Sequence, residues 1–236
     1  MVMSKRCIPY TPRFRELKQS TFALVTTTGV HLRNQEPYIE DDNTWRLIPG
    51  DVRTEDLMIT HDHYDHHDAD QDINCVFPID RLRELADEGI IGGVNNKHLG
   101  FGFTQNLRDL YERAAPAMAK EILHSKADGA ILTAGCPLCH RVACGIAREI
   151  EMTGLPTVVI TVELEASRQA GPPRAIAPEY FRQGHSLGGP FQKDLQRQVL
   201  LDALRRWETR EEPGNIWSIS YPEYNSSHRE TEEVEK

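Results

Sequence analysis

The segment Ala130–His140 constrains the fold of this chain most, because an apolar run passes through a glycine directly into a Cys-x-x-Cys motif. A helical pattern follows, so the two thiols, Cys136 and Cys139, are predicted on the turn between a strand and a helix. The exposed amides of a helix start stabilise a thiolate there. A thiolate with a second thiol one turn away can attack a substrate and then be released as a disulfide. This segment therefore predicts redox or covalent chemistry.

Short apolar strands alternate with helical patterns along the chain, which predicts an α/β fold, a parallel-sheet Rossmann-like or flavodoxin-like three-layer sandwich. The predicted strands are 22–29, 56–60, 128–133 and 157–162, and the predicted helices are 80–88, 103–124, 141–152 and 191–207. Because ligands of such folds bind at the carboxyl ends of the strands, the loops 26–31, 61–72 and 135–140 are expected to meet. Residues 1–225 are predicted to form one domain and residues 226–236 a charged, disordered tail.

Composition limits the classes of function. The net charge of −9 argues against a nucleic-acid surface. Nothing resembles a signal peptide or a run of roughly 20 apolar residues that would span a membrane, so a soluble, cytoplasmic protein is expected. An odd count of five cysteines indicates a functional thiol site rather than a disulfide framework. Cys144 is either a helix-packing residue or a second resolving thiol, and Cys75 is predicted to be a buried small residue.

Several blocks of the chain, in order, resemble one known family. The blocks are Ala23–Pro37, Arg46–Asp51, Asp68–Leu85, Cys136–His140, Leu187–Pro190 and Gln196–Leu200. They are similar to the selenoprotein B subunits of glycine/sarcosine/betaine reductase and D-proline reductase. The resemblance extends over roughly residues 10–208, so it is specific at the level of the family.

The resemblance implies a thiol-dependent reductase that cleaves a C–N bond of a small substrate, with electrons from a thioredoxin-like thiol protein. The family's selenocysteine position falls on Cys136 and its second thiol on Cys139, so here a cysteine would be the nucleophile and another the resolving thiol. Thiol chemistry leaves C–S cleavage open as well. The best-known members work with a pyruvoyl-bearing subunit, and no pyruvoyl precursor is visible here. A partner subunit would supply that group, or the substrate needs no such anchor. The chain could also form a homo-oligomer.

Residues in the other two loops are expected to complete the site. His61 directly follows a predicted strand, and its imidazole would protonate a leaving group or hold Cys136 as a thiolate. The predicted substrate-binding residues are Thr27, Thr28, Gly29, His31, Asp72 and Asn74. Hydroxyls and amides of the first loop suit a carboxylate, although threonines before a glycine are also ordinary turn residues. Asp72 and Asn74 could instead position His61 or cap a turn.

The sequence His61-Asp-His-Tyr-Asp-His66 matches the zinc motif HxHxDH of metallo-β-lactamase-fold hydrolases. His61, His63, Asp65 and His66 could therefore bind zinc, in a hydrolase or lyase or within the reductase-like fold. The predicted parallel sheet does not suit that hydrolase fold, which has long antiparallel β stretches. A polar loop lining a pocket is the simpler interpretation. A third hypothesis is a non-catalytic subunit that keeps the fold and lends a thiol to a complex.

Overall fold

The computed structural model describes residues 7–224, so the predicted tail at 226–236 lies outside the described residues. The strands are β1 (Thr21–Thr27), β2 (Val30–Leu32), β3 (Trp45–Pro49), β4 (Leu57–Ile59), β5 (Gly93–Val94), β6 (Lys97–Phe101), β7 (Gly129–Ala134), β8 (Thr157–Ile160), β9 (Ala175–Pro178) and β10 (Ile216–Ile219). Within the described residues, eight of them form one sheet in the order β10-β9-β8-β7-β1-β6-β3, with β5 paired to β1. All neighbours in this sheet are parallel except β3 and β6.

Helices follow most of the strands. The α-helices are α1 (His67–Gln71), α2 (Ile79–Asp87), α3 (Leu107–Asp109), α4 (Ala115–His124), α5 (Pro137–Met152), α6 (Leu164–Ala170) and α7 (Lys193–Glu208). A π-helical turn, Leu110–Ala114, joins α3 to α4. No helix within residues 7–224 is both long enough and apolar enough to cross a membrane.

Two hydrophobic clusters cover opposite faces of the sheet. Phe22 and Leu24 of β1 pack in one cluster with residues of α2 and α7, whereas Ala23 and Val25 pack in the other with residues of α4 and α5. This alternation follows from the period of two along a strand that is buried on both faces. The predicted class, an α/β three-layer sandwich with a mainly parallel sheet, is confirmed.

The structure corrects several predicted elements. The predicted strand 56–60 is shorter, and as β4 it pairs antiparallel with β2 outside the main sheet. The predicted helix 141–152 begins four residues earlier, at Pro137, which is favoured at the first helical position because it has no amide hydrogen to leave unpaired. The predicted helix 103–124 begins at Leu107. Strands β2, β3, β5, β6, β9 and β10 were not expected from the sequence.

A buried ion pair connects the amino-terminal segment to the amino ends of β8 and β9. Glu151, in the last turn of α5, lies 2.6 Å from Arg174, and both side chains are buried. The backbone amide and hydroxyl of Thr157 both donate to the Glu151 carboxylate. The amide of Thr11 donates to the same carboxylate, and Arg174 donates to the Thr11 carbonyl oxygen at 2.6 Å. The pair therefore connects three separate parts of the chain.

Candidate active site

The start of α5 carries the two thiols. Cys136 is the N-cap residue of α5, and Cys136 and Cys139 form a disulfide with a Cα–Cα distance of 4.9 Å. The backbone N–H of Cys139 donates to Cys136 Sγ at 3.2 Å. An N-cap side chain that accepts an amide of the first turn occupies the place where negative charge is best stabilised. The local sequence thus places Cys136 where a thiolate would be held by the helix start.

His61 reaches this pair from the loop after β4. Its Nε2 lies 3.1 Å from Cys139 Sγ. The ligand atoms of His61, Cys136 and Cys139 all lie within 4.8 Å of one another. The structure therefore brings together the three residues predicted to be catalytic, and the imidazole contacts the second thiol of the motif rather than the first.

The tautomer of His61 follows from its other nitrogen. The backbone N–H of His63 donates to His61 Nδ1 at 3.1 Å, so Nδ1 carries no proton. Burial, with smaller contributions from His63 and His66, lowers the pKa of His61 to about 4. At neutral pH the ring is therefore uncharged with its proton on Nε2, and it donates a hydrogen bond to the Cys139 sulfur. It is not the charged acid that an ordinary imidazole pKa suggested.

The two sulfurs are buried beside a group of aromatic rings around His61. Cys136 is 1% exposed, Cys139 2% and His61 5%. The His61 ring makes edge contacts with Tyr64 and Phe103. The Tyr64 hydroxyl donates to the Thr28 carbonyl oxygen at 2.9 Å, which holds the ring in place. The loop that follows β4 thus contributes both His61 and Tyr64 to the site.

Gly135 packs closely against the Tyr64 ring, and replacing the glycine with alanine tests whether this ring limits access to the disulfide. A Cβ at residue 135 would lie 2.3 Å from Cε1 of Tyr64, so the tyrosine ring must move. We expect Gly135→Ala to lower the free energy of unfolding by about 1–3 kcal/mol and to speed reduction of the disulfide by 2-mercaptoethanol. Tyr64→Phe, which keeps the ring but loses its hydrogen bond to the Thr28 carbonyl oxygen, should speed reduction less than Gly135→Ala does. Equal rates for the wild type and Gly135→Ala would show that Tyr64 does not limit access.

The predicted substrate-binding residues of the first loop are buried and bonded to protein groups. Thr27 Oγ1 donates to the Cys139 carbonyl oxygen at 3.0 Å. Thr28 Oγ1 lies 2.7 Å from Thr26 Oγ1. Gly29 has a φ of 78°, and a Cβ there would lie 2.3 Å from the Thr60 carbonyl oxygen. These contacts hold the loop against both halves of the site, and a role in substrate binding stays a prediction.

Asp72 and Asn74 lie at a different place. They line a cavity of about 690 Å³ whose walls, among the described residues, do not include the two sulfurs or His61. Asp72 accepts hydrogen bonds from Asn74, Gln196 and the amide of Phe191. Asn74 in turn donates to Asp80 and accepts from its amide. The structure does not bring Asp72 and Asn74 together with the thiols.

The four predicted zinc ligands are not gathered around one point. Among residues 7–224, the set of metal-capable side chains that does converge is His61 with the two cysteines. The remaining three predicted ligands have other neighbours: His63 lies 3.4 Å from Glu40, Asp65 lies 3.4 Å from Arg182, and His66 lies 2.7 Å from Asp70.

The converging set offers zinc neither a free imidazole lone pair nor thiolates in this form. A metal would need the lone pair of His61 Nε2, which here carries the proton because Nδ1 accepts a hydrogen bond. The two sulfurs are joined to each other and are not thiolates in this form. In the disulfide form the arrangement suits hydrogen bonding to sulfur rather than coordination of zinc.

The remaining cysteines stand apart from the pair. Cys144 is fully buried in α5, and burial raises the pKa of its thiol to about 12. Such a thiol is a poor nucleophile at neutral pH, which favours the helix-packing interpretation. Cys75 is also fully buried, and burial raises the pKa of its thiol. Cys7 is exposed.

Three residues at the site were missed by sequence reasoning: Thr60, Tyr64 and Phe103. Thr60 directly precedes His61, and its hydroxyl lies 2.8 Å from His31 Nε2. Phe103 stacks on His63 with ring centroids 3.4 Å apart. A glycine next to the Cys-x-x-Cys motif was the available signal that a ring approaches there, since glycine permits close packing. No local pattern identified which ring it is.

Comparison with known proteins identifies the family. The family model described as glycine/sarcosine/betaine reductase selenoprotein B matches residues 1–135, which end directly before Cys136. The D-proline reductase subunit gamma of Acetoanaerobium sticklandii is 36% identical over 214 residues, covering 90% of this chain and 88% of that protein. No solved structure is significantly similar.

Two further relatives come from other reductases. The glycine reductase complex component B subunit gamma of Carboxydothermus hydrogenoformans is 28% identical, over 89% of this chain and 50% of that protein. The sarcosine reductase complex component B subunit beta of Peptoclostridium acidaminophilum is 24% identical, over 86% of this chain and 48% of that protein. The chain thus spans about half the length of these two relatives, which are named as subunits of reductase complexes. It belongs to the glycine/sarcosine/betaine reductase selenoprotein B family.

Proposed function

We propose that this chain is the thiol-redox subunit of a reductase complex, in which Cys136 and Cys139 cycle between dithiol and disulfide while a small substrate loses a C–N or C–S bond. The observation that carries this proposal is the disulfide at the start of α5 with His61 Nε2 3.1 Å from Cys139 Sγ. The names of the relatives support a reductase complex with partner subunits.

The first step uses Cys136, because the start of α5 stabilises its thiolate. The thiolate attacks the substrate carbon that bears the leaving group and forms a carbon–sulfur bond. The leaving group departs with the electrons of the broken bond and takes up a proton. The substrate is then held covalently on Cys136.

In the second step the Cys139 thiolate attacks the Cys136 sulfur. The disulfide forms as the carbon–sulfur bond breaks, and the carbon keeps the electron pair and takes up a second proton. The substrate has gained two electrons and two protons, which the dithiol has lost. A carbon next to a carbonyl or carboxylate group suits this step, since that neighbour stabilises the negative charge. A thioredoxin-like dithiol protein would return the pair to the dithiol.

His61 serves the second step in this scheme. Its neutral ring donates the Nε2 hydrogen to Cys139 Sγ and so stabilises the thiolate that attacks. The sequence suggested that His61 acts on Cys136, and the 3.1 Å distance from its Nε2 to Cys139 Sγ supports a role at Cys139 instead.

A single-turnover experiment tests the proposal. The chain, purified with its partner subunits, is reduced, freed of reductant and mixed with D-proline or glycine, the substrates named for its relatives. We expect one Cys136–Cys139 disulfide for each product molecule, detected by mass spectrometry after alkylation, and no second turnover without reductant. Cys144→Ala should behave as the wild type. Product formed while both thiols remain free would reject the thiol mechanism and favour a non-catalytic role for this chain.

A further inference from the structure

The segment between β1 and β2 contacts both halves of the redox site. Thr27, at the carboxyl end of β1, pairs in register with Ala134 of β7, just before the Cys-x-x-Cys motif. This register lets Thr27 Oγ1 donate to the Cys139 carbonyl oxygen at 3.0 Å. The bond fixes the first turn of α5 against β1, and with it the position of Cys139.

The same segment also holds the residue before His61. The backbone N–H of Thr60 donates to the Gly29 carbonyl oxygen at 2.9 Å. The Thr60 hydroxyl lies 2.8 Å from Nε2 of His31, which is fully buried. Gly29 packs so closely against Thr60 that a Cβ on residue 29 would lie 2.3 Å from the Thr60 carbonyl oxygen.

His31 Nδ1 determines which group donates in the hydrogen bond between His31 Nε2 and the Thr60 hydroxyl. His31 Nδ1 lies 2.8 Å from the Leu32 carbonyl oxygen, which can only accept, so Nδ1 carries a proton. Burial lowers the pKa of His31, which keeps the ring neutral and leaves Nε2 as an acceptor. The Thr60 hydroxyl is therefore the donor. A serine at residue 60 can make the same bond, and a valine cannot.

We infer that Thr60, held by His31, and Thr27 are positioning residues for the redox pair. Thr60 positions His61, Thr27 positions Cys139, and together they keep the His61 Nε2–H hydrogen-bonded to the Cys139 sulfur. Neither hydroxyl contacts a sulfur itself, so both act through their neighbours. This inference rests on the proposed redox function. It explains why the hydroxyls of Thr27 and Thr60 form hydrogen bonds with protein groups next to the redox pair.

The thiol–disulfide equilibrium is the property that such positioning controls. A thiolate accepts a hydrogen bond more strongly than a disulfide sulfur does, so the His61 bond stabilises the reduced form. Loosening the bond therefore disfavours reduction and makes the midpoint potential more negative. A loss of packing elsewhere in the protein leaves that balance unchanged.

The experiment equilibrates the purified chain with mixtures of reduced and oxidised dithiothreitol and counts the Cys136–Cys139 disulfide by mass spectrometry. We expect Thr60→Val to shift the equilibrium about tenfold toward the disulfide, which is about 30 mV, and Thr60→Ser to stay within about twofold of the wild type. Thr27→Val and Thr27→Ser form a second pair with the same expected contrast, in case one valine variant does not fold.

Thr153→Val is the matched control. It removes a hydroxyl bond of 2.7 Å, to the Ile150 carbonyl oxygen at the far end of α5, so it alters packing without touching the redox site. Its potential should equal that of the wild type. If both valine variants match their serine partners while the wild-type disulfide forms and is reduced normally, the positioning roles are rejected and the proposed function stands. If the wild-type pair forms no disulfide under any ratio, the proposed function itself fails.

Discussion

Cys139→Ser is expected to stop the reaction after its first step and leave the substrate attached to Cys136. Serine cannot supply the second sulfur, so the carbon–sulfur bond has no intramolecular thiolate to break it. Turnover should fall by at least about a thousandfold, as for other losses of a covalent group. Mass spectrometry of the complex after incubation with D-proline should show a mass increase on the peptide that carries Cys136.

Cys136→Ser gives the complementary result. It should lose turnover to a similar extent, with no adduct on any cysteine, because the proposed mechanism uses Cys139, beside His61, only as the resolving thiol. Cys144→Ala, in the same helix but fully buried, is the control and should keep the wild-type rate. An adduct on Cys139 in Cys136→Ser would reverse the proposed order of the two thiols.

Glu151→Ala should destabilise the protein by about 3–5 kcal/mol, because it leaves the buried guanidinium of Arg174 without its charge partner. The variant also removes the acceptor for two backbone amides, those of Thr11 and Thr157. For a chain of 236 residues, a loss of this size corresponds to a decrease in Tm of roughly 10 °C. Thermal unfolding followed by circular dichroism measures it.

An exposed ion pair provides the comparison. Glu112 lies 3.1 Å from Arg108 with both side chains mostly in solvent, so Glu112→Ala should change stability by less than about 1 kcal/mol. The double variant Glu151→Met with Arg174→Met should recover only part of the stability lost by Glu151→Ala. Its apolar side chains leave no unpaired charge, but the amides of Thr11 and Thr157 still lack their acceptor. Similar losses for Glu151→Ala and Glu112→Ala would show that the buried pair does not anchor the amino-terminal segment.

The sequence predicted the parts of this molecule that have strong local patterns. The α/β class came from short apolar strands such as 157–162, and the placement of Cys136 and Cys139 at a helix start came from the run that precedes them. The strands it did not predict lack such a pattern. β6 contains Lys97 and Gly100, and β9 lies within a stretch rich in proline and glycine.

Contacts between distant residues limited the prediction of the site. His61 and Cys139 are 78 residues apart in the chain, and their contact depends on β4 pairing with β2 rather than joining the main sheet. Thr27 seemed suited to a ligand because its hydroxyl is polar. Its actual acceptor, the Cys139 carbonyl oxygen, follows from the pairing of β1 with β7, which no local pattern specifies.

The small β2–β4 pair lies outside the main sheet. The part of the site that carries His61 and the part that carries the two cysteines therefore tolerate substitutions to different extents. The thiols follow β7, which is paired on both sides, so substitutions near them disturb the core. The imidazole follows a three-residue strand paired on one side. Substitutions around His61 should therefore cost less folding free energy than substitutions around Cys136 and Cys139. Substitutions in the loop after β4 can thus change the surroundings of His61 while leaving the Cys136–Cys139 pair in place.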